Sequence, residues 1–450
     1  MRILLIGATG FIGSEIARAL LRDGHDITGL ARNPDEGARL IPDLHWVKGD
    51  LRTLTRPQDW AALVDGQQAV INASGALQSG LRDSVSAVQL DAITALIEAC
   101  KAAGVQRFIQ ISAAGASGNA PTDFMATKAR ADAVLAGSML DHVILRPGLV
   151  IGRNGFGGTE LVRMLAALPL VAPRITGLPP IQCVGMADVV AATGAALQHS
   201  APRALACDLV EPQGHDLGAI IALHRRWLGF APSRWSAAVP LWSIRPLSIL
   251  SDALGWLGWR SPLRSTAVTS LMQGVSGQAG DAMALLGRPC AALPEVLATM
   301  GAAGKADRWH ARLALLYPLA LVALVALWLV SGLIGLCHVD QAVALLTAGG
   351  MGESAARACV IGGSLADLMI AAGLLFRPWP KWNSDESPRL SGGSARTTTS
   401  EWSAMMTRRS PASRAMSLAR LPAASGAGLD GPPMYPASAS PAVASVRWGS

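Results

Sequence analysis

A glycine-rich turn near the N-terminus constrains the fold of this chain more than any other sequence feature. Residues 7–13 read Gly-Ala-Thr-Gly-Phe-Ile-Gly. They directly follow the predicted strand of residues 2–6, with its apolar run Ile3–Ile6, and a helical pattern begins after them. In a strand–turn–helix unit, Gly7 permits the tight turn, Gly10 lets the backbone approach a phosphate group, and Gly13 allows the helix to pack closely on the strand. The sequence therefore predicts a first βαβ unit with a phosphate site at the start of its helix.

Strand and helix patterns alternate in this way to about residue 212. Short apolar runs predict further strands at residues 26–30, 69–72, 107–112 and 142–146. Longer helical patterns lie between these strands. Such alternation gives a parallel sheet with helices on both faces. The near-continuous apolar run Ile3–Ile6 also fits a strand that is buried on both sides. We therefore expect residues 1–212 to form an α/β domain with a doubly wound parallel sheet of the Rossmann type.

The residues that follow the predicted strands indicate a dinucleotide site at one edge of the sheet. Arg32 follows the second strand, where an NAD site has an acidic residue; an arginine there suits a 2′-phosphate, so NADP(H) is favoured over NAD(H). Asp50 and Leu51 follow the third strand and are expected to contact the adenine. Ala73 and Ser74 follow the fourth strand and are expected to border the nicotinamide ribose. The turn residues expected to bind the cofactor are Gly7, Thr9, Gly10, Phe11, Ile12 and Gly13.

Residues 308–381 predict membrane-spanning helices. Leu313–Cys337 contains no charged residue, and it is long enough to cross a bilayer, which takes about 20 apolar residues. Ala355–Phe376 is apolar except for Arg357 and Asp367. Charged residues make up only 15% of the chain, whereas average soluble domains carry about 25%. Part of this chain is therefore expected to contact lipid.

The charges that flank these two spans predict their orientation. Lys305, Arg308 and Arg312 precede the first span, and Arg377 and Lys381 follow the second. Because cytoplasmic flanks carry an excess of basic residues, both ends are expected in the cytoplasm. The sequence thus predicts an inner (cytoplasmic) membrane protein whose glycine-rich domain lies on the cytoplasmic side.

Two regions carry weaker signals. Residues 213–307 contain five Trp, which suggests either an interfacial platform beside the membrane or a helical, substrate-binding region with the Trp in its core. In residues 382–450, Ser, Ala, Pro, Gly and Arg dominate and no apolar periodicity remains, so a disordered tail is expected. An alternative is that an out-of-frame translation replaces further membrane helices in this tail.

Several classes of partner are not expected from the sequence. The six cysteines include no closely spaced pair, and the eight histidines form no metal-ligand pattern, so neither a disulfide framework nor a metal site is expected. The arginines are scattered rather than clustered, which argues against a nucleic-acid site.

The motifs together resemble those of a known family. The segments Gly7–Gly13, Gly49-Asp50-Leu51, Asn72-Ala73-Ser74-Gly75, Ile111-Ser112 and Arg146-Pro147-Gly148 resemble the short-chain dehydrogenase/reductase family. More narrowly, they look like its atypical branch, similar to the nucleotide-binding accessory subunit of respiratory complex I. The two apolar spans resemble a DoxX-like membrane domain. The resemblance also implies a cofactor contact at Pro147.

The resemblance implies a catalytic Ser with a Tyr-x-x-x-Lys motif, in which the Tyr exchanges a proton and the Lys holds the nicotinamide ribose. Ser112 matches the Ser and Lys128 matches the Lys, but Phe124 stands where the Tyr belongs. The chain has only two Tyr, at positions 317 and 435, so residues 1–316 contain none. Since Phe cannot exchange a proton, the usual acid is missing, although a Lys with a lowered pKa can serve as acid or base.

Two functions fit these residues. The first is a membrane-anchored NADP(H)-binding oxidoreductase that acts on a hydrophobic small molecule such as a quinone or lipid. The second is a non-catalytic nucleotide-binding scaffold, assembly protein or sensor in a membrane complex such as a respiratory complex. Phe124 favours the second function, and the intact glycine motif fits both.

Overall fold

A computed structural model describes residues 1–75, 85–174, 177–239 and 272–376, together with residues 248, 249, 252 and 269. The chain divides into two units, Met1–Ser387 and Pro388–Ser450, and all the described residues belong to the first. Three of the five Trp noted above, Arg377, Lys381 and the tail of residues 382–450 lie outside the described residues.

The described residues alternate between strands and helices in their N-terminal half and are mainly helical afterwards. The strands are β1 (Arg2–Ile6), β2 (Asp26–Ala31), β3 (His45–Lys48), β4 (Ala69–Asn72), β5 (Arg107–Ile111), β6 (His142–Pro147), β7 (Leu149–Ile151), β8 (Val171–Arg174), β9 (Cys183–Gly185), β10 (Leu205–Leu209) and β11 (Trp235–Ala238). The helices are α1 (Phe11–Arg22), α2 (Pro34–Leu40), α3 (Pro57–Val64), α4 (Ala92–Ala103, preceded by a π-helical turn at Ala87–Asp91), α5 (Asp123–Ala136), α6 (Gly158–Ala166), α7 (Met186–Ala196), α8 (Leu217–Trp227), α9 (Met283–Leu286), α10 (Leu293–Thr299), α11 (Lys305–Cys337), α12 (Val339–Ala348) and α13 (Glu353–Phe376).

Seven parallel strands form the central sheet, in the order β10-β6-β5-β4-β1-β2-β3. The order of the strands reverses between β1 and β4, which pair side by side with Ile3 opposite Ala69. In open α/β sheets, ligands bind beyond the carboxyl ends of the strands at such a reversal. The glycine turn follows β1 and Ala73 follows β4, so two of the sequence-predicted cofactor segments meet at this point.

The sheet is buried on both faces, as the apolar run of β1 predicts. Ile3 and Leu5 pack into a core on one face, where α1 and α7 cover the sheet. Leu4 and Ile6 point to the opposite core, which α3, α4 and α5 cover. Because successive strand residues alternate in direction, a strand between two helical layers needs apolar residues at every position. The doubly wound parallel sheet that the sequence predicts is therefore confirmed.

Two helices in the C-terminal part are long and apolar enough to cross a membrane. These are α11 and α13, and only 6% and 11% of their most apolar segments are buried. The core helix of a soluble domain would be mostly buried, so the exposure favours a lipid environment. The two helices pack against each other where an added Cβ on Gly332 would lie 2.8 Å from Cγ of Leu368. The short apolar helix α12 lies between them in sequence.

Asp367 is the one acidic residue inside the second span. Its Oδ2 accepts a hydrogen bond of 2.7 Å from the hydroxyl of Ser331 on the neighbouring helix α11. A polar group in an apolar environment is stabilised by such a partner. Asp367 therefore has a packing role between α11 and α13.

Candidate functional site

The glycine turn between β1 and α1 brings three backbone segments into close contact. Gly7 has a φ of +80°, which favours glycine, and an added Cβ there would lie 2.7 Å from the carbonyl atoms of Ala73. An added Cβ on Gly13 would overlap the carbonyl oxygen of Gly7. Gly7 and Gly13 are therefore required by the packing of α1 and β4 around the turn. Gly10 is the N-cap residue of α1, and no side chain makes a capping hydrogen bond there. The N–H of Gly10 donates a hydrogen bond of 2.8 Å to the carbonyl oxygen of Gly7.

The first turn of α1 has the features of an anion site. Its first backbone N–H groups have no partner within the helix, and no acidic side chain lies in that turn. The positive end of the helix dipole adds to the attraction for a phosphate. Thr9 and Gly10 are exposed, Phe11 and Ile12 are half-buried, and Gly13 is buried. The turn thus offers backbone donors to a pyrophosphate while its apolar side chains anchor the helix.

An aromatic pair closes one side of this turn. The ring of Phe11 stacks on the ring of Phe156, with 6.3 Å between the ring centroids. Gly152 lies against the same ring, because an added Cβ at this position would come within 3.2 Å of Phe11. The loop that follows β7 therefore packs directly against the glycine turn. Sequence reasoning missed Phe156, because nothing in the local pattern links it to residue 11.

Two arginines lie at the ends of β2 and β3, next to Asp50. Arg32 follows β2 and is exposed, and its charge acts on Asp50. Arg52 forms an ion pair with Asp50, and its side-chain hydrogen bond is the main cause that lowers the pKa of Asp50 below the usual range. Sequence reasoning missed Arg52, which directly follows the Gly49-Asp50-Leu51 motif. Leu51 packs at the edge of the core under α3 and α4.

The loop after β4 is fixed by a buried amide. Asn72 donates from Nδ2 to Oε1 of Gln110 at 2.8 Å. Its Oδ1 accepts hydrogen bonds from the backbone N–H and the hydroxyl of Ser74, at 3.0 and 2.5 Å. Because all these donors and acceptors are used, the backbone of Ala73 and Ser74 is held next to Gly7.

Lys128 lies beneath this loop. Its Nζ donates a hydrogen bond of 2.8 Å to the carbonyl oxygen of Ile111. An added Cβ on Gly75 would lie 3.9 Å from the same Nζ, which places the amine under the loop that follows β4. Lys128 is only 5% exposed, and this burial lowers its pKa from 10.5 to about 8. The ring of Phe124, one turn earlier on α5, has its centroid 5.7 Å from Nζ.

Ser112 belongs to a second buried polar group beside Lys128. Its hydroxyl donates a hydrogen bond of 2.6 Å to Oδ2 of Asp132. Asp132 also faces Nε of Arg146 at 3.4 Å, and its Oδ1 is buried with no hydrogen-bond partner among the described residues. Burial raises the pKa of Asp132, against the hydrogen bond from Ser112 and the charges of Lys128 and Arg146, which lower it. A serine oxygen oriented in this way can accept a hydrogen bond from a ligand.

Sequence reasoning missed Asp132 and gave Arg146 no role of its own. Asp132 lies four residues after Lys128, so the two share one face of α5. An acidic residue at this spacing from a buried Lys is a signal that was present in the sequence. The contact of Asp132 with Ser112 joins residues 20 positions apart, and no local pattern predicts it.

A cleft of about 380 Å³ opens beside Arg146. Its lining is mainly backbone and polar side chains, contributed by Gly115, Ala116, Arg146, Asp208, Ser276, Gly277 and Gln278. Arg146 is therefore in contact with both the buried pair Ser112–Asp132 and a solvent-connected space. Pro147 is buried next to it, and its carbonyl oxygen accepts the N–H of Ala114 at 2.9 Å.

The structure thus brings Ser112, Lys128, Ala73 and Ser74 to the carboxyl edge of the sheet beside the glycine turn. Arg32 and Asp50 stand together at the ends of β2 and β3. Among the described residues, no group of three or more His, Cys, Asp or Glu is arranged to hold a metal ion. The site therefore consists of backbone donors, two cationic side chains and a buried amine, which fits a dinucleotide cofactor.

Comparison with known proteins identifies two regions, the domain that carries the glycine turn and the apolar C-terminal helices. A family model described as NAD(P)H-binding matches residues 7–165, and a model of the DoxX-like family matches residues 325–384. The second match includes α12, α13 and the C-terminal part of α11 from residue 325, so it supports membrane association of these helices.

Three curated relatives match the N-terminal part. An uncharacterized sugar epimerase, YhfK, of Bacillus subtilis is 32% identical over 173 residues, which is 37% of this chain and 79% of that protein. The ceramide reductase of Caulobacter vibrioides is 28% identical over 192 residues, or 42% of this chain and 58% of that protein. The photosystem II assembly factor Ycf39 of Guillardia theta is 31% identical over 149 residues, or 32% of this chain and 44% of that protein. The chain thus spans less than two thirds of the latter two.

Solved structures share the fold. The UDP-glucuronic acid 4-epimerase from Bacillus cereus, solved with UDP-glucuronic acid and NAD, has a TM-score of 0.50 and 17% sequence identity. The match covers 69% of this chain and 99% of that chain. At this identity, the likeness concerns the fold alone.

Proposed function

Because the chain belongs to the NAD(P)-binding short-chain dehydrogenase/reductase family and carries a DoxX-like C-terminal domain, we propose that it is a membrane-anchored NADP(H)-dependent oxidoreductase. Its substrate is a hydrophobic small molecule such as a quinone or a lipid. The observation that carries the proposal is the buried amine of Lys128, held beneath the loop where the nicotinamide ribose would lie.

The residues of the turn fit the cofactor. Gly7, Thr9, Gly10, Phe11, Ile12 and Gly13 form the cradle for the pyrophosphate, and Ala73 and Ser74 border the ribose. The packing at Gly7 and Gly13 leaves no room for a side chain, and the first turn of α1 leaves backbone donors for an anion. Lys128 donates to a ribose hydroxyl as well as to Ile111, since an ammonium has three donors.

Two arginines support NADP(H) rather than NAD(H). Arg32 follows the end of β2 and its charge acts on Asp50, and Arg52 forms an ion pair with Asp50. Arg52 neutralises Asp50, which would otherwise repel a 2′-phosphate, and Arg32 provides a fork of donors suited to such a group. Both arginines act at the adenosine end, so they affect cofactor choice and not the reaction.

Reduction of a carbonyl needs one hydride and one proton. The bound nicotinamide supplies the hydride. Phe124 cannot supply the proton, whereas Lys128, with a pKa of about 8, is mostly protonated at neutral pH. Lys128 therefore donates the proton, to a quinone as to any other carbonyl substrate. Ser112 orients the substrate, because its hydroxyl already donates to Asp132 and its oxygen remains an acceptor.

Contacts between the cofactor domain and the first apolar helix support a substrate from the bilayer. Arg153, in the loop that packs on Phe11, donates to the carbonyl oxygen of Met300 at 3.1 Å and pairs with Asp307 of α11 at 3.3 Å. The loop that follows β7 thus contacts both the glycine turn, through Phe11, and the start of α11, through Asp307. The likeness to a ceramide reductase also supports a lipid substrate. By the positive-inside rule, the domain lies on the cytoplasmic face of the inner membrane.

The proposal is tested by NADPH oxidation with the detergent-solubilised full chain and a short-chain quinone as acceptor. Lys128→Ala is the variant, and binding of NADPH is measured in the same samples. The proposal expects oxidation by the wild-type chain and a loss of at least 100-fold in the variant, a typical effect of removing a general acid. Equal rates with the two proteins would contradict it.

A second function is favoured by Phe124. A chain that has replaced the catalytic Tyr can retain NADP(H) as a structural or sensing ligand and act as a scaffold or assembly protein of a membrane complex. The likeness to a photosystem II assembly factor supports this alternative. Phe124→Tyr separates the two functions with a simple ketone as substrate. A rise in carbonyl reduction indicates intact catalytic geometry, and no change indicates that the pocket has lost its catalytic shape.

A further inference from the structure

Three arginines converge on one turn at the beginning of the first span. Arg225, at the end of α8, and Arg312, on α11, both lie over the ring of Phe230, with 5.9 and 4.9 Å from each Cζ to the ring centroid. Arg308 lies against Gly229, where an added Cβ would come within 2.9 Å of its Nη2. We refer to Arg225, Arg308 and Arg312 as the arginine collar.

The collar has an excess of positive charge. Arg225 uses its donors on backbone carbonyls, at 2.6 Å to Ala231, 2.9 Å to Ala166 and 2.6 Å to Leu168. Within the described part of the chain, no carboxylate pairs with Arg308 or Arg312. The adjacent Asp307 is engaged by Arg153 and by the N–H of Gly304. Like charges held together without a counter-charge repel one another, so the collar is suited to bind an anion.

The position of the collar along α11 indicates which anion it meets. Arg308 lies five residues and Arg312 one residue before the uncharged run Leu313–Cys337. At a rise of about 1.5 Å per residue, they lie about 7.5 and 1.5 Å outside the apolar segment. The headgroup layer on each side of a bilayer is about 5–8 Å thick. Both guanidinium groups therefore fall at the depth of lipid phosphates.

Exposed apolar side chains surround the collar in the way expected of a membrane interface. Trp309, between the two arginines of α11, is 58% exposed. Leu170 and Trp235 are 51% and 64% exposed, and the N–H of Trp235 donates to the oxygen of Leu170 at 3.2 Å. This pair lies next to Leu168, which Arg225 holds. Trp prefers this zone because its ring is apolar and its N–H needs a polar partner.

We propose that the arginine collar binds the phosphate of an anionic phospholipid and, with Trp309, Leu170 and Trp235, docks the cofactor domain on the membrane surface. The proposal does not depend on turnover. Each arginine near an anionic surface contributes a factor of about five in affinity, so loss of both Arg308 and Arg312 lowers the preference for an anionic lipid about 25-fold.

The experiment uses the full chain in a neutral detergent and measures bound lipid by native mass spectrometry. Dihexanoylphosphatidylglycerol and dihexanoylphosphatidylcholine are titrated separately, and inorganic phosphate is added as competitor. The variant is Arg308→Gln/Arg312→Gln. Arg22→Gln/Arg39→Gln removes the same charge from exposed positions on the cofactor domain and is the matched control. Binding of NADPH reports whether each variant is folded.

The proposal expects wild-type and control proteins to prefer phosphatidylglycerol, and the collar variant to lose most of this preference while it still binds NADPH. Arg308→Lys/Arg312→Lys, which keeps the charge, should retain it. Equal binding of the two lipids by the wild-type chain, or an unchanged preference in the collar variant, would overturn the proposal. Displacement of the lipid by equimolar inorganic phosphate would also overturn it, since the site would then be one for a free anion.

If the collar variant does not fold, the salt dependence of the wild-type chain tests the proposal instead. The preference for phosphatidylglycerol must disappear between 0.1 and 0.5 M salt, as screening requires, and its persistence would refute the proposal.

Discussion

Replacing Lys128 by Met is expected to stabilise the nucleotide-free protein, although it removes the residue that carries the proposed function. Burial lowers the pKa of Lys128 from its ordinary 10.5 to about 8. At about 1.4 kcal/mol per pKa unit, keeping this amine charged in the folded state at pH 7 costs about 3 kcal/mol. Met has a similar length and no charge, and the hydrogen bond to Ile111 that it loses contributes about 1 kcal/mol. The net gain expected for Lys128→Met at pH 7 is therefore about 2 kcal/mol.

The pH dependence of this gain follows from the sign of the shift. The folded pKa of Lys128 is lower than the unfolded one, so the unfolded state binds more protons between pH 8 and 10.5. Stability of the wild-type chain therefore rises through this window relative to the variant. The penalty is fully present below about pH 8, decreases above it and is gone above about pH 10.5. The advantage of the Met variant should shrink accordingly.

The assay is thermal unfolding of the detergent-solubilised chain, without nucleotide, at pH 7 and pH 10. Lys101→Met, on the exposed side of α4, controls for the exchange of Lys for Met at a solvated position. The account expects Lys128→Met to raise Tm by several degrees at pH 7 and by less at pH 10, with Lys101→Met close to wild type. A variant that is less stable than wild type at pH 7, or a difference that does not depend on pH, would refute the reasoning.

Three further outcomes are expected. NADPH oxidation by the wild-type chain should fall as the pH rises through about 8, because Lys128 loses the proton that it donates; the Lys128→Ala variant should show no such limb in its pH profile. Arg32→Ala should weaken NADPH binding about 10- to 100-fold through loss of a charge-assisted hydrogen bond, and a titration with NADH should show a change of less than threefold. Gly13→Ala should abolish NADPH binding and lower Tm, because the new Cβ overlaps the oxygen of Gly7, whereas Gly118→Ala, where nothing lies within 4 Å, should leave both unchanged.

The sequence was sufficient for the features that depend on local pattern. The apolar run Ile3–Ile6 predicts a strand buried on two sides, and its residues alternate between the two cores. The glycine spacing predicts the turn, because Gly7 and Gly13 are needed for a backbone approach that is itself local. The uncharged run Leu313–Cys337 predicts a span, and it lies within one continuous exposed helix.

The features that the sequence did not predict depend on contacts between distant segments. Asp132 accepts the hydroxyl of Ser112 only because α5 crosses the end of β5. Phe156 lies in the loop that follows β7, and its ring stacks on the ring of Phe11. Arg153 meets Asp307 across 154 positions of sequence. Such pairs are determined by how the helices pack on the sheet, and a single sequence carries no period or spacing that reports them.

The central claim, that this chain transfers electrons from NADPH to a membrane-soluble acceptor, is tested most directly in lipid. The full chain is reconstituted in nanodiscs made from a total bacterial lipid extract, which contains quinones, and NADPH consumption is followed beside stoichiometric NADPH binding. The account predicts consumption that stops in the Lys128→Ala protein. Stoichiometric binding of NADPH with consumption no faster than that of Lys128→Ala would contradict it and would favour a nucleotide that serves as a structural or sensing ligand.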